Sequence, residues 1–162
     1  MRSLSVEWFN PARIRFKISP HSDLKPVDGS DWDRERRHEL AKLAKYRSII
    51  ERYRDGKPWE ATELFTDIYR RRFESGDTIR HTANMKELIA QYYGRVDSLF
   101  EAMKRSGFDA GRTPPRLLIG RDGEVFIGNQ GNHRLAMAHV LKLEKFAGEV
   151  ICRSPDAQPS RP

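Results

Sequence analysis

The stretch 128-GNQGNHRLAMAHVLKL-143 holds the residue types best suited to chemistry in this chain. Gly128 and Gly131 allow a tight turn and let the main chain come close to a ligand. Asn132-His133-Arg134 then opens an apolar run at helical spacing. The first N–H groups of a helix have no partners within it and stand at the positive end of its dipole. Arg134 adds a fork of donors matched to phosphate oxygens, and His133 adds one more. Gly128, Gly131, Asn132, His133 and Arg134 together therefore suit an anion. The same pattern also fits a plain strand-to-helix turn in which Asn132 caps the helix.

A second basic cluster, 69-YRRRFE-74, places Arg70, Arg71 and Arg72 beside aromatic residues, a composition suited to nucleic-acid phosphates. Acids at helical spacing, Asp67 and Glu74 among them, equally make it a solvated helix face. The net charge of +7 over 162 residues points to a polyanionic partner without choosing between nucleotide, nucleic acid and acidic lipid. A single cysteine, Cys152, excludes an internal disulfide framework and a cysteine-based zinc site. His133 and His139 are six residues apart, on different faces of a helix, so no metal site is expected. No apolar stretch approaches the ~20 residues of a membrane span, and 1-MRSLSVEWFNPARIRFKI-18 lacks the apolar core of a signal peptide. No membrane partner is expected, and a cytoplasmic location is.

The elements that must position these residues follow from periodicity. In 12-ARIRFKI-18, Ile14, Phe16 and Ile18 alternate with basic residues, which predicts a half-buried strand. The segment 19–33 reads as a loop. Helical spacing predicts helices from Asp33 to about 54, from about 62 to 73 and from about 85 to 105, the last stopped by Gly107. In 116-RLLIGRDGEVFIG-128 two apolar runs flank Asp122-Gly123, a strong hairpin signal. A helix over 132–143 and a strand over 148–153 complete the order. This predicts an α+β domain over 1–153: a small mixed sheet with one packed helix and a large helical insertion at about 33–107. The Pro-rich 154–162 reads as a disordered tail.

The run 117-LLIGRDGEVFIGNQGNHRLAMAHVLKLEKFAGEVICR-153 resembles the ParB/sulfiredoxin superfamily, in which a hairpin leads into a Gly-x-x-Gly-x-His/Arg-Arg turn and helix. The strand at 12–18 is consistent with the family's first strand; the helical block lies outside the resemblance. The resemblance implies a ParB/sulfiredoxin-like sheet and a nucleotide, ATP or CTP with Mg2+, held by its phosphates on Gly131–Arg134. Asn132 stands where sulfiredoxin has its catalytic cysteine, so that activity does not carry over. The resemblance also implies phosphoryl transfer or NTP hydrolysis, with Asp31, Asp33 or Glu35 in 28-DGSDWDRE-35 as catalytic base or Mg2+ ligand. Those acids equally suit the start of a helix. Two further readings stand beside it: a non-enzymatic DNA- or RNA-binding module, and a nuclease, from the label that similar ParB-like proteins carry.

Overall fold

The computed structural model of the protein describes residues 5–158. Its centre is a mixed sheet of six strands: β1 (Val6–Phe9), β2 (Phe16–Ile18), β3 (Arg37–Glu39), β4 (Arg116–Ile119), β5 (Val125–Ile127) and β6 (Phe146–Arg153). Their spatial order is β1-β6-β4-β5-β2-β3, which with the helices makes an α+β architecture. β4 and β5 form the antiparallel hairpin that the sequence predicts, with Leu117 opposite Ile127 and Ile119 opposite Val125. Gly123 takes φ +75° at the turn and donates its N–H to Gly120 O at 3.0 Å. β4 pairs in parallel with β6, and β5 with β2, so the hairpin lies inside the sheet.

Strand side chains alternate between faces. Leu117, Ile119, Val125 and Ile127 join the helices in one core, while Leu118 and Phe126 face Trp32 on the other side. The pairing of β4 with β6 slips at Leu117/Leu118, so Val150 faces the helices and Cys152 faces Trp32. Burial pushes the Cys152 thiol up to about 11, which makes it a small apolar filler rather than a nucleophile.

The helices are α1 (Trp32–Glu35), α2 (Ala44–Tyr53), α3 over 64–74, α4 over 85–106 and α5 (Asn132–Val140). Asn84 starts α4 by accepting the Glu87 N–H at 2.9 Å, and Gly107 ends it at φ +76°. Each of the two long helices contains a π turn: Arg70 N–H reaches Phe65 O in α3, and Gly94 N–H reaches Ile89 O in α4. The helical block and the sheet share one core, in which Phe65, Leu88 and Phe100 cluster with Leu117 and Leu135. Asp97 ties the block together. It accepts from Arg52 Nε and Nη2 at 3.2 and 3.0 Å, Tyr53 Oη at 2.7 Å and Trp59 Nε1 at 3.2 Å.

Several boundaries differ from the sequence prediction. The first predicted strand shrinks to Phe16–Ile18, because Pro11–Arg13 forms a 3-10 turn started by Asn10, whose side chain accepts the Ala12 N–H. The helix expected from Asp33 begins at Ala44; Arg37–Glu39 instead pairs with β2 as an edge strand. The helical block therefore begins after that strand, and the sheet has α1 on the face opposite α5 as well. α5 ends three residues early, where Lys142 turns the chain at φ +52°. The start of the predicted disordered tail is packed: Ser154 is buried, and the N–H groups of Ser154 and Gln158 donate to Ile119 O and Arg121 O. Residues 159–162 lie outside the described part. Among the described residues no helix is long and apolar enough to cross a membrane.

Replacing Asp97 with alanine leaves the Arg52 charge and the Trp59 N–H without their acceptor. Hydrogen bonds to a charged group are each worth about 1.5–3 kcal/mol, so Asp97→Ala is expected to lower the stability measured by urea unfolding by at least that amount. An unchanged midpoint would show that the helical block does not depend on this hub.

Candidate functional site

The glycine turn is built by close packing on both sides. Gly131 takes φ +91°, and a Cβ there would lie 2.5 Å from Pro115 Cβ. A Cβ on Gly128 would lie 2.9 Å from His21 Nε2. That same nitrogen accepts the Asn129 N–H at 3.1 Å, so His21 both crowds the turn and pins it. Burial, then the charge of Arg116, lower the His21 pKa and keep the ring neutral, as an accepting nitrogen requires. Asn132 does not cap the helix. Its Nδ2 reaches back to Gly128 O at 2.9 Å, and the first turn of α5 has no side-chain cap. The leading N–H groups of α5 therefore stand open at the positive end of a nine-residue helix.

That helix start opens into a cleft of about 740 Å³. Five elements send a cation to its lining: Lys17 from β2, Lys45 from α2, Arg72 from α3, Arg80 from the turn at 79–82, and Arg134 from α5. Among the described residues no carboxylate lines it. Arg72 has a partner outside, Asp77 at 3.5 Å. Among the described residues, Lys17, Lys45, Arg80 and Arg134 take part in no ion pair. Their field is felt by their neighbours. The Lys17 pKa falls through burial and the charge of Lys45. His133 is pushed down to about 4 by burial first, then by Lys45 and Arg80, so its imidazole is neutral and not the cation that an anion site would use. Its ring sits 6.2 and 6.4 Å from the Tyr92 and Tyr93 rings.

Arg134 is half-buried rather than solvent-facing, with its guanidinium 5.8 Å from the Phe108 ring centre. Burial lowers its pKa without removing its charge. Arg80 lies 3.6 Å above the Tyr92 ring. It and His81 have φ +49° and +64°, in a two-residue turn closed by Ile79 and Thr82. Such turns favour Asn-Gly, so this one holds strain at the cleft rim. The two π turns also meet the cleft, contributing Leu64, Ile68, Tyr69 and Tyr92 to its walls.

The other candidates lie elsewhere. Asp31 and Asp33 bind Arg121 at the tip of the β4–β5 hairpin: Arg121 Nη2 is 2.6 Å from Asp31, and its backbone N–H, Nε and Nη2 all donate to Asp33. Burial alone would raise the Asp33 pKa, but the hydrogen bonds from Arg121 outweigh it and hold it low. The hairpin tip is the opposite end of β4 and β5 from the glycine turn, and Trp32, between the two acids, packs on the opposite sheet face. Glu35 is exposed on the same single-turn helix. The acids expected as base or Mg2+ ligand are therefore fold clamps and surface groups, not part of the cleft. Of the three arginines 70–72, only Arg72 reaches the cleft; successive residues point about 100° apart around a helix. Arg70 pairs with Glu74 at 3.7 Å, and Arg71 is exposed. His139 bonds Tyr46 Oη at 2.8 Å and Pro11 O at 2.6 Å and does not itself line the cleft. Among the described residues no group of acids, histidines or cysteines could hold a metal ion. The sequence reading missed Lys17, Lys45, Arg80 and His21, which no local motif marks and which only the fold brings together.

Gly131→Ala is expected to lower the melting temperature, through about 1–2 kcal/mol of left-handed strain plus the contact with Pro115. His133 gives a pH signature. Its folded pKa of about 4 lies below that of a free histidine, so the unfolded chain binds more protons between these values. Stability is therefore full above the unfolded value and falls as pH drops towards 4. His133→Gln should flatten that acid-side fall in a melting series; an unchanged slope would mean the imidazole is not buried neutral.

No family model, curated protein or solved structure matches the chain, so the resemblance to the ParB/sulfiredoxin superfamily rests on the run 117–153 and the strand at 12–18 alone.

Proposed function

We propose that the protein binds a nucleotide in this cleft through its phosphates. The observation that carries the reading is the convergence of Lys17, Lys45, Arg72, Arg80 and Arg134 from five elements on one cleft without a carboxylate. Bringing like charges together is unfavourable, and a bound polyanion relieves that repulsion. The uncapped start of α5 adds backbone donors on the same side. The motif resemblance of Gly128–Arg134 to the ParB/sulfiredoxin turn supports the same reading and favours ATP or CTP.

The residues present do not fit a protein-held Mg2+. Among the described residues no carboxylate lines the cleft, so lysine and arginine would neutralise the phosphates. Asp31, Asp33 and Glu35 are too far round the sheet to act as base. Both points favour binding over phosphoryl transfer, NTP hydrolysis or metal-dependent nuclease chemistry. Arg70 and Arg71 stand outside the cleft, which favours a nucleotide over a nucleic acid held on the basic run.

ATP or CTP is expected to raise the melting temperature by mass action, equally in EDTA and in Mg2+. Lys45 is exposed and among the described residues has no ion-pair partner, so Lys45→Ala should not lower the apo melting temperature and, by relieving repulsion, should raise it slightly. Lys45→Ala and Arg134→Ala should each weaken nucleotide binding about ten- to hundredfold, the usual worth of a charge-assisted contact. If no nucleotide stabilises the protein, the reading falls. A gel-shift complex with single-stranded DNA that persists at physiological salt, without any nucleotide effect, would replace it with the nucleic-acid reading.

A further inference from the structure

Past Arg134 the cleft continues into a second groove of about 520 Å³. The two have a wall in common, because Leu99 and Arg134 line both. Their chemistry differs. Among the described residues the cleft lining is cationic and free of acids, whereas the groove combines the apolar Trp8, Phe108 and Met103 with Asp109, whose carboxylate lies 3.8 Å from Arg112 Nε. The apolar rings suit a flat, uncharged group, and Asp109 offsets part of the charge that Arg112 and Arg134 bring to the groove. Small residues, Ala102, Gly107 and Gly111, leave the room such a group needs.

The rings are arranged to receive it. Trp8 is 52% exposed on edge strand β1, while Trp32 and Trp59 are 1% and 2% exposed in the core. Trp8 meets Phe108 edge to face, with centres 6.2 Å apart and planes at 87°, which forms a corner between the two rings. Phe108 is held from behind by Phe146, centres 4.5 Å apart. Within the cleft, Arg80 covers Tyr92, and Tyr69 is buried with its hydroxyl 3.0 Å from that of Tyr93. Arg134 links the two chambers. Its guanidinium lines the cleft and also lies 5.8 Å from the Phe108 ring centre. A phosphate on Arg134 therefore leaves the rest of a mononucleotide within reach of the Trp8–Phe108 corner.

We infer that this groove is the nucleobase subsite of the nucleotide whose phosphates lie in the cleft, with the base stacked on Trp8. The inference rests on the nucleotide reading of the cleft and adds to it where the base lies and what holds it. Base stacking on an aromatic side chain is sequence-tolerant, because every base has a π face.

The test uses ATP and inorganic tripolyphosphate side by side, with melting temperature and tryptophan emission as readouts. Both ligands should raise the melting temperature, but only ATP should quench emission, and the quenching should disappear in Trp8→Ala. That variant should bind ATP about five- to hundredfold more weakly, the range for loss of one base stack, and bind tripolyphosphate as before. Trp8→Phe should restore most of the ATP affinity. The subsite is overturned if ATP binds without quenching and Trp8→Ala binds it as the wild type does, an outcome that leaves the phosphate cleft intact. It is also overturned if Trp8→Ala loses ATP and tripolyphosphate affinity equally, since the ring is then only structural. Failure of both ligands to stabilise the wild type removes the cleft reading itself, and the subsite with it.

Discussion

Mutual repulsion among Lys17, Lys45, Arg72, Arg80 and Arg134 is the force the rest of the fold has to hold in check. Among the described residues no acid inside the cleft offsets it, so the restraint is mechanical. Lys17 is fixed by a strand paired on both sides, Arg134 by a helix start wedged against Pro115, and Arg72 by its tie to Asp77. The walls carrying Lys45, Arg72 and Arg80 belong to the helical block, which is braced by Asp97 and by the packed rings of Trp59, Phe65 and Tyr93. His133 is affected too: its burial first, and then the charges of Lys45 and Arg80, deny it a proton. In the proposed reading, a rigid scaffold that already holds these cations together lessens the reorganisation on binding.

The glycine turn shows how one local sequence serves packing and, in the proposed reading, recognition. Its two glycines are demanded by the neighbours, Pro115 and the His21 ring, before any ligand is considered. The consequence is that Asn132 spends its amide on the loop, and the helix is left without a cap. The same tightness that would exclude a side chain therefore leaves backbone donors exposed.

The parts of this arrangement written in contiguous sequence were legible. The Asp122-Gly123 turn, the start of a helix at Asn132 and the end of one at Gly107 each depend on chemistry within a few residues. The edge strands were not. Arg37–Glu39 is short and polar, as edge strands often are, and sits where charges read as the first turn of a helix. Val6 and Trp8 face solvent on the other edge, so β1 lacks the one-sided burial that marks a strand. Asp31 and Asp33 read as chemistry because acids beside a predicted loop suit a base, but their partner, Arg121, is about ninety residues away in sequence. The cleft cations failed for the same reason: Lys17, Lys45 and Arg80 each look like an ordinary surface residue until the chain is folded.

The π turns have a consequence for how these helices are written. A π turn contains one residue more than the α turn it replaces, so it resets the phase of everything downstream by about 100°. In α4 this lets a single rod serve two masters whose positions do not share one α-helical stripe: Tyr92 under Arg80 on the cleft side, and Asp97 under Trp59 in the block. Excising one residue from 89–93 would give a more regular helix and put those two halves out of register. Lengthening or shortening such a segment is thus far more disruptive than substituting within it, and the irregular turns act as the spacing rule that joins the scaffold to the cleft.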